Sequence, residues 1–237
     1  MWLIIKRSKS QSDINFFLSS YPNGRFKKHA ELLLKQIEKQ ELALSNTKND
    51  IAPLVKDISH ISHMLKRNLI KNPGAEDGIN FWQTNTSTYT ARKQRSENDT
   101  PKSGTFYFFP GPYKGTAVAN QVIDLSHITE YTKTKNLKYV IKGYMRDFEG
   151  SEKNRNGGDI SQIKVEFLNN RNEVLKIVKS DEISTSDYWV EFEDEGIIPY
   201  QTAKVRFNLV STYRWGSNNN DGYFDDLYFG LKIDQIR

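Results

Sequence analysis

The chain has 237 residues, of which 37% are hydrophobic, 12% aromatic and 27% charged, a composition that excludes a disordered chain and supplies core for one large or two small domains. Its net charge of +5 is uneven: residues 1–67 carry 12 Lys/Arg against 6 Asp/Glu and the remainder 22 against 23, so the C-terminal part lacks the concentrated positive charge that nucleic acid demands. The absence of cysteine excludes a disulfide framework and thiol chemistry, and no apolar run is long enough to span a membrane.

At the start, Met1 to Ile5 is apolar but is followed at once by Lys6, Arg7 and Lys9, too short and in the wrong order for a signal peptide. A cytoplasmic protein, or a piece of a longer one, is the expectation. Residues 13–37 read as two helices across a tight turn. Phe16, Phe17 and Leu18 form the first apolar face, Tyr21-Pro22-Asn23-Gly24 is turn chemistry, and Phe26, Ala30, Leu33, Leu34 and Ile37 recur at helical spacing. The pattern W-x-x-I-x-x-S from Trp2, followed by D-x-x-x-F-L-x-x-Y-P-N-G-x-F-x-x-x-A from Asp13, resembles helical hairpins of the tetratricopeptide type. Such hairpins often follow bacterial caspase-like domains, and the resemblance implies the tail of a larger architecture, since one hairpin is too few for a solenoid.

Ala30, Leu33, Ile37, Leu44, Ile51, Leu54, Ile58, Ile61 and Leu65 continue at heptad-like spacing, with Gln40 and Thr47 as polar interruptions. Asp50 is placed to cap a restarted helix with Pro53 in its first turn. Two readings stay open: a helix pair folded on itself or on the following domain, and a coiled coil through which the chain forms a homo-oligomer. His60 and His63 lie one turn apart but lack a third ligand at matching spacing, so they read as surface histidines.

The expected boundary is Arg67 to Asn68, giving a helical region, 1–67, and a β-domain, 68–237. Strand-like runs follow at 89–93, 105–109, 116–123, 138–148, 160–168, 173–178, 188–193, 204–213 and 223–233, with no convincing helix between them. The fold class is therefore α+β by segment: a helical hairpin or coiled-coil region, then an antiparallel β-sandwich.

Two stretches organise that sandwich, Asn68 to Trp82 and Asn218 to Ile233, read here as its first and last strands. From Tyr223 onward, Leu227, Phe229, Leu231 and Ile233 alternate, and Asp225 falls on the same face. A carboxylate there must be paired, hydrogen-bonded or bound to a cation. The opening N-L-x-x-N-x-G-x-E-x-G-x-x-x-W and the ending D-G-Y-F-D-D-L resemble those of jelly-roll carbohydrate-binding modules, and the opening also that of F-box-associated sugar-binding domains. The first resemblance implies a structural Ca2+ between the terminal strands, with Glu76 and Asp225 as side-chain ligands and the Gly74 carbonyl beside them; hard oxygen donors suit that ion. The alternative is that Glu76 caps a turn and Asp225 bonds backbone amides.

No catalytic constellation is evident. His29, His60, His63 and His127 show no triad spacing, Gly157-Gly158 sits in a polar hairpin loop, and Glu191 and Glu193, two apart, read as a solvated strand face. A noncatalytic binding protein is expected. Aromatic rings stack on sugar faces while amides and charges bond the hydroxyls, and the candidates are Tyr107 and Tyr113 around FFPGPYKG, with Tyr213, Arg214, Trp215 and Asn218 in TYRWGSNNNDG. Trp82 and Trp189 read as core. Two functions stay open: recognition of a carbohydrate or similar polar ligand, and a protein-interaction or sensor domain at the C-terminal end of a bacterial effector.

Overall fold

The computed structural model describes residues 10–41, 62–94, 100–134, 137–147, 158–184, 188–214 and 218–233. The chain divides into two units, Met1–Ser62 and His63–Arg237. His63 to Arg67 thus go with the second unit, where Lys66 N donates to Leu231 O at 2.9 Å and Leu65 bridges Leu231.

In the first unit, helix α1 (Gln11–Ser20) starts at Ser10, whose Oγ accepts from Asp13 N at 3.4 Å, and Asp13 places a carboxylate in the positive first turn. Tyr21 N closes the end by donating to Phe17 O, and Gly24 N donates to Tyr21 O within the turn. A second helix, α2, runs over residues 27–41. Ile14 and Phe17 bury against Ala30 and Ile37, with Leu18, Phe26, Leu33 and Leu34 around them. Phe16 does not join: it is 63% exposed, because Phe17 and Leu18, three and four residues after Ile14, share its face of the helix and Phe16, two residues after it, does not. Leu44, Ile51, Leu54, Ile58 and Ile61 of the heptad pattern lie outside the described residues, as do Asp50, Pro53 and His60.

In the second unit the strands are β1 (Gln83–Thr84), β2 (Thr90–Lys93), β3 (Phe106–Phe109), β4 (Thr116–Asp124), β5 (Leu137–Asp147), β6 (Ile160–Leu168), β7 (Val174–Lys179), β8 (Val190–Ile197), β9 (Lys204–Thr212) and β10 (Gly222–Ile233). They form two antiparallel sheets of five, ordered β1-β4-β9-β6-β7 and β2-β3-β10-β5-β8. Between the sheets, Phe207 and Leu209 of β9 and Val165 and Phe167 of β6 are fully buried, as are Phe108 of β3, Ile141 of β5 and Phe224 and Phe229 of β10. Each such side chain contributes about 1.5–3 kcal/mol by leaving water. Trp82 packs edge-on to both Phe108 and Phe207, joining the two layers. At the β7/β8 side, Tyr139 closes the sandwich: its hydroxyl donates to Asp194 Oδ2 (2.8 Å) and accepts from Lys176 Nζ (2.7 Å). Burial, together with Asp194, holds that phenol protonated well beyond its usual range.

Among the described residues, nine of the ten strands follow the runs expected from alternation. The departure is at the opening. Residues 68–82 are not a strand but a succession of turns, with positive φ at Asn72, Ala75, Gly78 and Phe81, which no strand permits. Two backbone bonds, Leu69 N to Phe229 O and Leu227 N to Pro73 O, tie this stretch to β10 without a continuous ladder, and side-chain amides do the rest. Asn68 donates to Leu227 O and accepts from Phe229 N, Gln121 bonds both backbone groups of Lys71, and Trp82 Nε1 donates to Asn72 O. The strand that does follow, β1, joins the sheet opposite β10, so the terminal strands are not neighbours. A 3₁₀ helix, Ser126–Thr134, is the other feature that alternation did not announce.

Candidate functional site

Alternation along β10 is interrupted. Phe224 pairs with Met145 and Asp225 with Tyr144, but Tyr228 then pairs with Lys142, so β10 carries an extra residue between Asp225 and Tyr228. Asp226, at φ 48, takes up the bulge. The extra residue shifts the parity: Asp225 faces away from the core that holds Leu227 and Phe229, which corrects the expectation of a common face. It is nonetheless fully buried, because residues 102–106 lie over it. Its Oδ2 accepts from Lys102 N (2.8 Å) and Ser103 N (3.3 Å), and its Oδ1 from Asp226 N (2.8 Å).

Glu76 holds the other half of the same loop, Oε1 accepting from Thr105 N (2.7 Å) and Phe106 N (2.9 Å). Gly104, between the two clamps, has φ 63, and a Cβ there would run into the Glu76 carboxylate. Gly74 stands as close to the other clamp: a Cβ there would lie 3.2 Å from Asp225 Oδ1. Burial pushes the Asp225 carboxyl up to about 7, against the pull of its amide partners. The donor set fits a hard cation in kind, with Oε2 of Glu76 outside the amide contacts and Oδ1 of Asp225 taking one amide. It is short in number: among the described residues no three acidic or histidine side chains gather as a metal site, so carbonyls and water would have to complete six to eight oxygens.

At one end of the sandwich, the β3–β4 loop and the β9–β10 loop are tied by Asn220. This buried amide donates to Gly115 O (3.1 Å) and Ser211 O (3.0 Å), accepts from the Ser211 hydroxyl, and its backbone N donates to Gly111 O (2.9 Å). Buried Asp159 adds a second tie by accepting from Arg214 N (2.7 Å) and Asp221 N (2.8 Å). The knot brings four of the predicted residues together. Tyr213 N donates to Gly115 O, the Tyr113 ring lies against Gly115, Arg214 reaches Glu182 at 3.4 Å, and Asn218 is exposed. Both tyrosines are half-buried, and the Lys114 ammonium lies 5.9 Å from the Tyr213 ring centre. Trp215 lies outside the described residues.

Tyr107 belongs elsewhere. It is fully buried and packs on Tyr223 (4.9 Å between ring centres) and Trp189 (6.0 Å), with Phe109 in the same cluster. Since Phe108 faces the core, Tyr107 and Phe109 face the other side of their sheet. There Arg92 covers the cluster, its guanidinium 3.1 Å from the Phe109 ring centre and 3.4 Å from Tyr223 Oη. Tyr107 is thus a packing residue, and not a platform open to ligand.

The likeness to solved structures is one of fold. A Stig cyclase from Fischerella sp. TAU, solved in complex with (3Z)-3-(1-methyl-2-pyrrolidinylidene)-3H-indole, matches with a TM-score of 0.50 and 14% identity, over 71% of this chain and 98% of the cyclase. A family 61 carbohydrate-binding module in complex with β-1,4-galactotriose matches at 0.46 and 16%, over 71% of this chain and all of that one. The CBM22-1 xylan-binding domain of Paenibacillus barcinonensis Xyn10C matches at 0.44 and 12%, over 70% and 96%. No protein-family model matches the chain, and no curated protein does. The β-domain is thus a two-sheet antiparallel sandwich whose fold the Stig cyclase shares, and since a fold does not fix a function, the site must carry it.

Two further groups were read from sequence. Glu191 and Glu193 are exposed on edge strand β8, Glu193 pairing with Lys142 at 2.8 Å, as a solvated face requires. His63 stacks on His127, whose ring also meets Met64 Sδ at 2.9 Å. Tyr144 and Tyr228 are half-buried on the outward face of β5 and β10.

Proposed function

We propose that the β-domain is a noncatalytic recognition module that binds a carbohydrate or similar polar ligand at the rim formed by Tyr113, Tyr213, Arg214 and Asn218. The observation that carries this reading is the Asn220 knot, which holds two half-buried tyrosines beside a guanidinium and an amide. Rings supply the stacking face, the polar groups bond hydroxyls, and a rim held by buried hydrogen bonds loses little freedom on binding. Calorimetric titration with a panel of oligosaccharides tests it. The expected result is binding that Tyr213→Ala weakens about tenfold, the value of one good stacking contact, with an unchanged melting temperature; binding indifferent to Tyr113 and Tyr213 would move the site.

Structural calcium belongs to the same proposal. Asp225 and Glu76 would hold it, and it would brace the loop over residues 102–106. Melting with excess calcium and with chelator is the test, and the gain should vanish in Asp225→Ala.

A second reading, a protein-interaction module attached to a larger effector in the cytoplasm, rests on the helical hairpin, where Phe16 is 63% and Leu32 62% exposed. Large apolar side chains left in water mark contact surfaces. Pull-down with the full chain and with Phe16→Ser plus Leu32→Ser separates the readings, because those changes leave the rim intact.

A further inference from the structure

At the end of the sandwich opposite the rim, a cavity of about 620 Å³ opens between the β6–β7 turn and the β8–β9 loop, with Ser126 and Thr129 of the 3₁₀ helix on its floor. Its two walls are unusually well tied. On one side, buried Asn169 uses its whole amide: Nδ2 donates to Glu173 Oε2 (2.6 Å) and Oδ1 accepts from Arg171 N (2.9 Å) and Glu173 N (3.0 Å). On the other, Thr202 bonds Pro199 O through both N and Oγ1, and Gln201 N donates to Thr132 Oγ1 (3.1 Å). Asn172 and Gln201 stand at φ 64 and 68, so each turn is held in a conformation that side-chain-bearing residues seldom adopt unaided.

These two turns present complementary chemistry across the cavity. Tyr200 is 53% exposed, a ring without the burial that a core tyrosine would have. Around it stand the exposed Arg171, Asn170 and Gln201 side chains and the Glu173 carboxylate. Arg171 forms no ion pair among the described residues, which leaves its planar fork of donors for a ligand. One aromatic face with several planar donors and acceptors around it is the requirement for gripping a ring whose faces are C–H and whose edge is hydroxyl. A cavity of this size also exceeds what one small solute needs, within the usual range for ligand sites.

We infer that this cavity is a second binding site, for the terminal ring of a saccharide or an equivalent cyclic polyol, with Tyr200 as the stacking face and Arg171, Asn170, Gln201 and Glu173 as hydroxyl partners. It does not rest on the rim reading: the two sites share no residue and lie at opposite ends of β9. The separation makes the chain bivalent in principle, since an oligosaccharide end held at one pole leaves the other free for a second chain.

The test uses the full chain, isotope-labelled, titrated with free galactose, glucose and xylose while backbone amide shifts are followed. The expected result is saturable movement of residues 169–173 and 199–203 with at least one of the three sugars. Tyr200→Ala should weaken it about tenfold, and the double change Tyr113→Ala, Tyr213→Ala should leave it unaltered. Tyr200 is on the surface, so its replacement should leave the remaining amide spectrum in place. No movement in these two segments with any of the three sugars would overturn the inference, as would movement that persists at full strength in Tyr200→Ala. Binding lost in the double variant but kept in Tyr200→Ala would place the sugar at the rim and overturn it equally.

Discussion

The outward faces of the two sheets follow the same alternation and come out differently. On the sheet β1-β4-β9-β6-β7, Glu166 faces outward and meets Lys164 Nζ at 2.7 Å and Arg206 at 3.0 Å. Burial raises its pKa, but the two cations outweigh burial and the net shift is downward. On the sheet β2-β3-β10-β5-β8, the outward positions Tyr107, Phe109, Tyr223 and Asp225 are all buried. There the carboxylate finds amides but no cation, and its pKa moves up. Both carboxylates are buried; a strand pattern assigns a side chain to a face, and whether it meets cations or backbone amides there depends on what else lies over it.

The strongest way to break this comparison is to treat the second face as surface. Tyr107→Ala should cost about 3–5 kcal/mol, as loss of a buried aromatic does, read from denaturant unfolding; a cost below about 1 kcal/mol would mean that the cluster is not packed. Next comes Asp225→Ala, which leaves the amides of Lys102, Ser103 and Asp226 without their acceptor. About 3 kcal/mol is expected, since each buried unsatisfied group costs about 1–3 kcal/mol, and Asp225→Asn, keeping one acceptor oxygen, should cost less.

The pH dependence sharpens the contrast. Asp225 has a folded pKa of about 7 against an ordinary 3.8. The native state therefore keeps a proton that the unfolded chain gives up. Its contribution is complete below about pH 4 and is lost as pH rises through about 7, on the order of a few kcal/mol. Glu166 runs the other way: its depressed pKa contributes stability above its unfolded value and loses it as pH falls through the folded one. Melting temperatures of Asp225→Asn and Glu166→Gln across pH 3–8 should thus differ from the parent in opposite senses. Calcium held there as proposed would compete with the proton on Asp225, so its effect on the melting temperature should be largest above pH 7 and fade toward pH 4. The smallest effect is Glu166→Gln at neutral pH, up to about 1 kcal/mol for a pair near the surface.

Much of the fold was legible because it rests on local periodicity. Val205, Phe207 and Leu209, or Tyr139 and Ile141, bury alternately as their spacing says, and the turn at Tyr21 to Gly24 separates two helices. What misled were places where periodicity is broken by one residue or overridden by distant chain. The bulge at Asp226 shifts Asp225 to the opposite face, and nothing in DGYFDDL marks which residue is extra. The opening NLIKNPGAEDGINFW has apolar residues at strand-like intervals, yet side-chain amides hold it, its own Asn68 on the backbone of Leu227 and Phe229 and the amide of Gln121, about fifty positions away, on Lys71. At the rim, the composition of the two loops pointed to Tyr113, Tyr213, Arg214 and Asn218, but only the Asn220 knot puts those loops side by side.

The sequence by itself determined the elements of this protein: two amphipathic helices, nine of ten strands, a near-neutral β-domain and the residue types available for stacking and hydroxyl contacts. These follow from side-chain period, turn chemistry and charge, which act over a few residues. The tertiary structure decided which faces are dry, where the carboxylates of Glu76 and Asp225 find their donors, and that Tyr200 and Arg171 stand over one cavity. Those outcomes depend on burial and on hydrogen bonds between segments more than 120 residues apart, and solvent exclusion is a property of the assembled layers that no local pattern encodes.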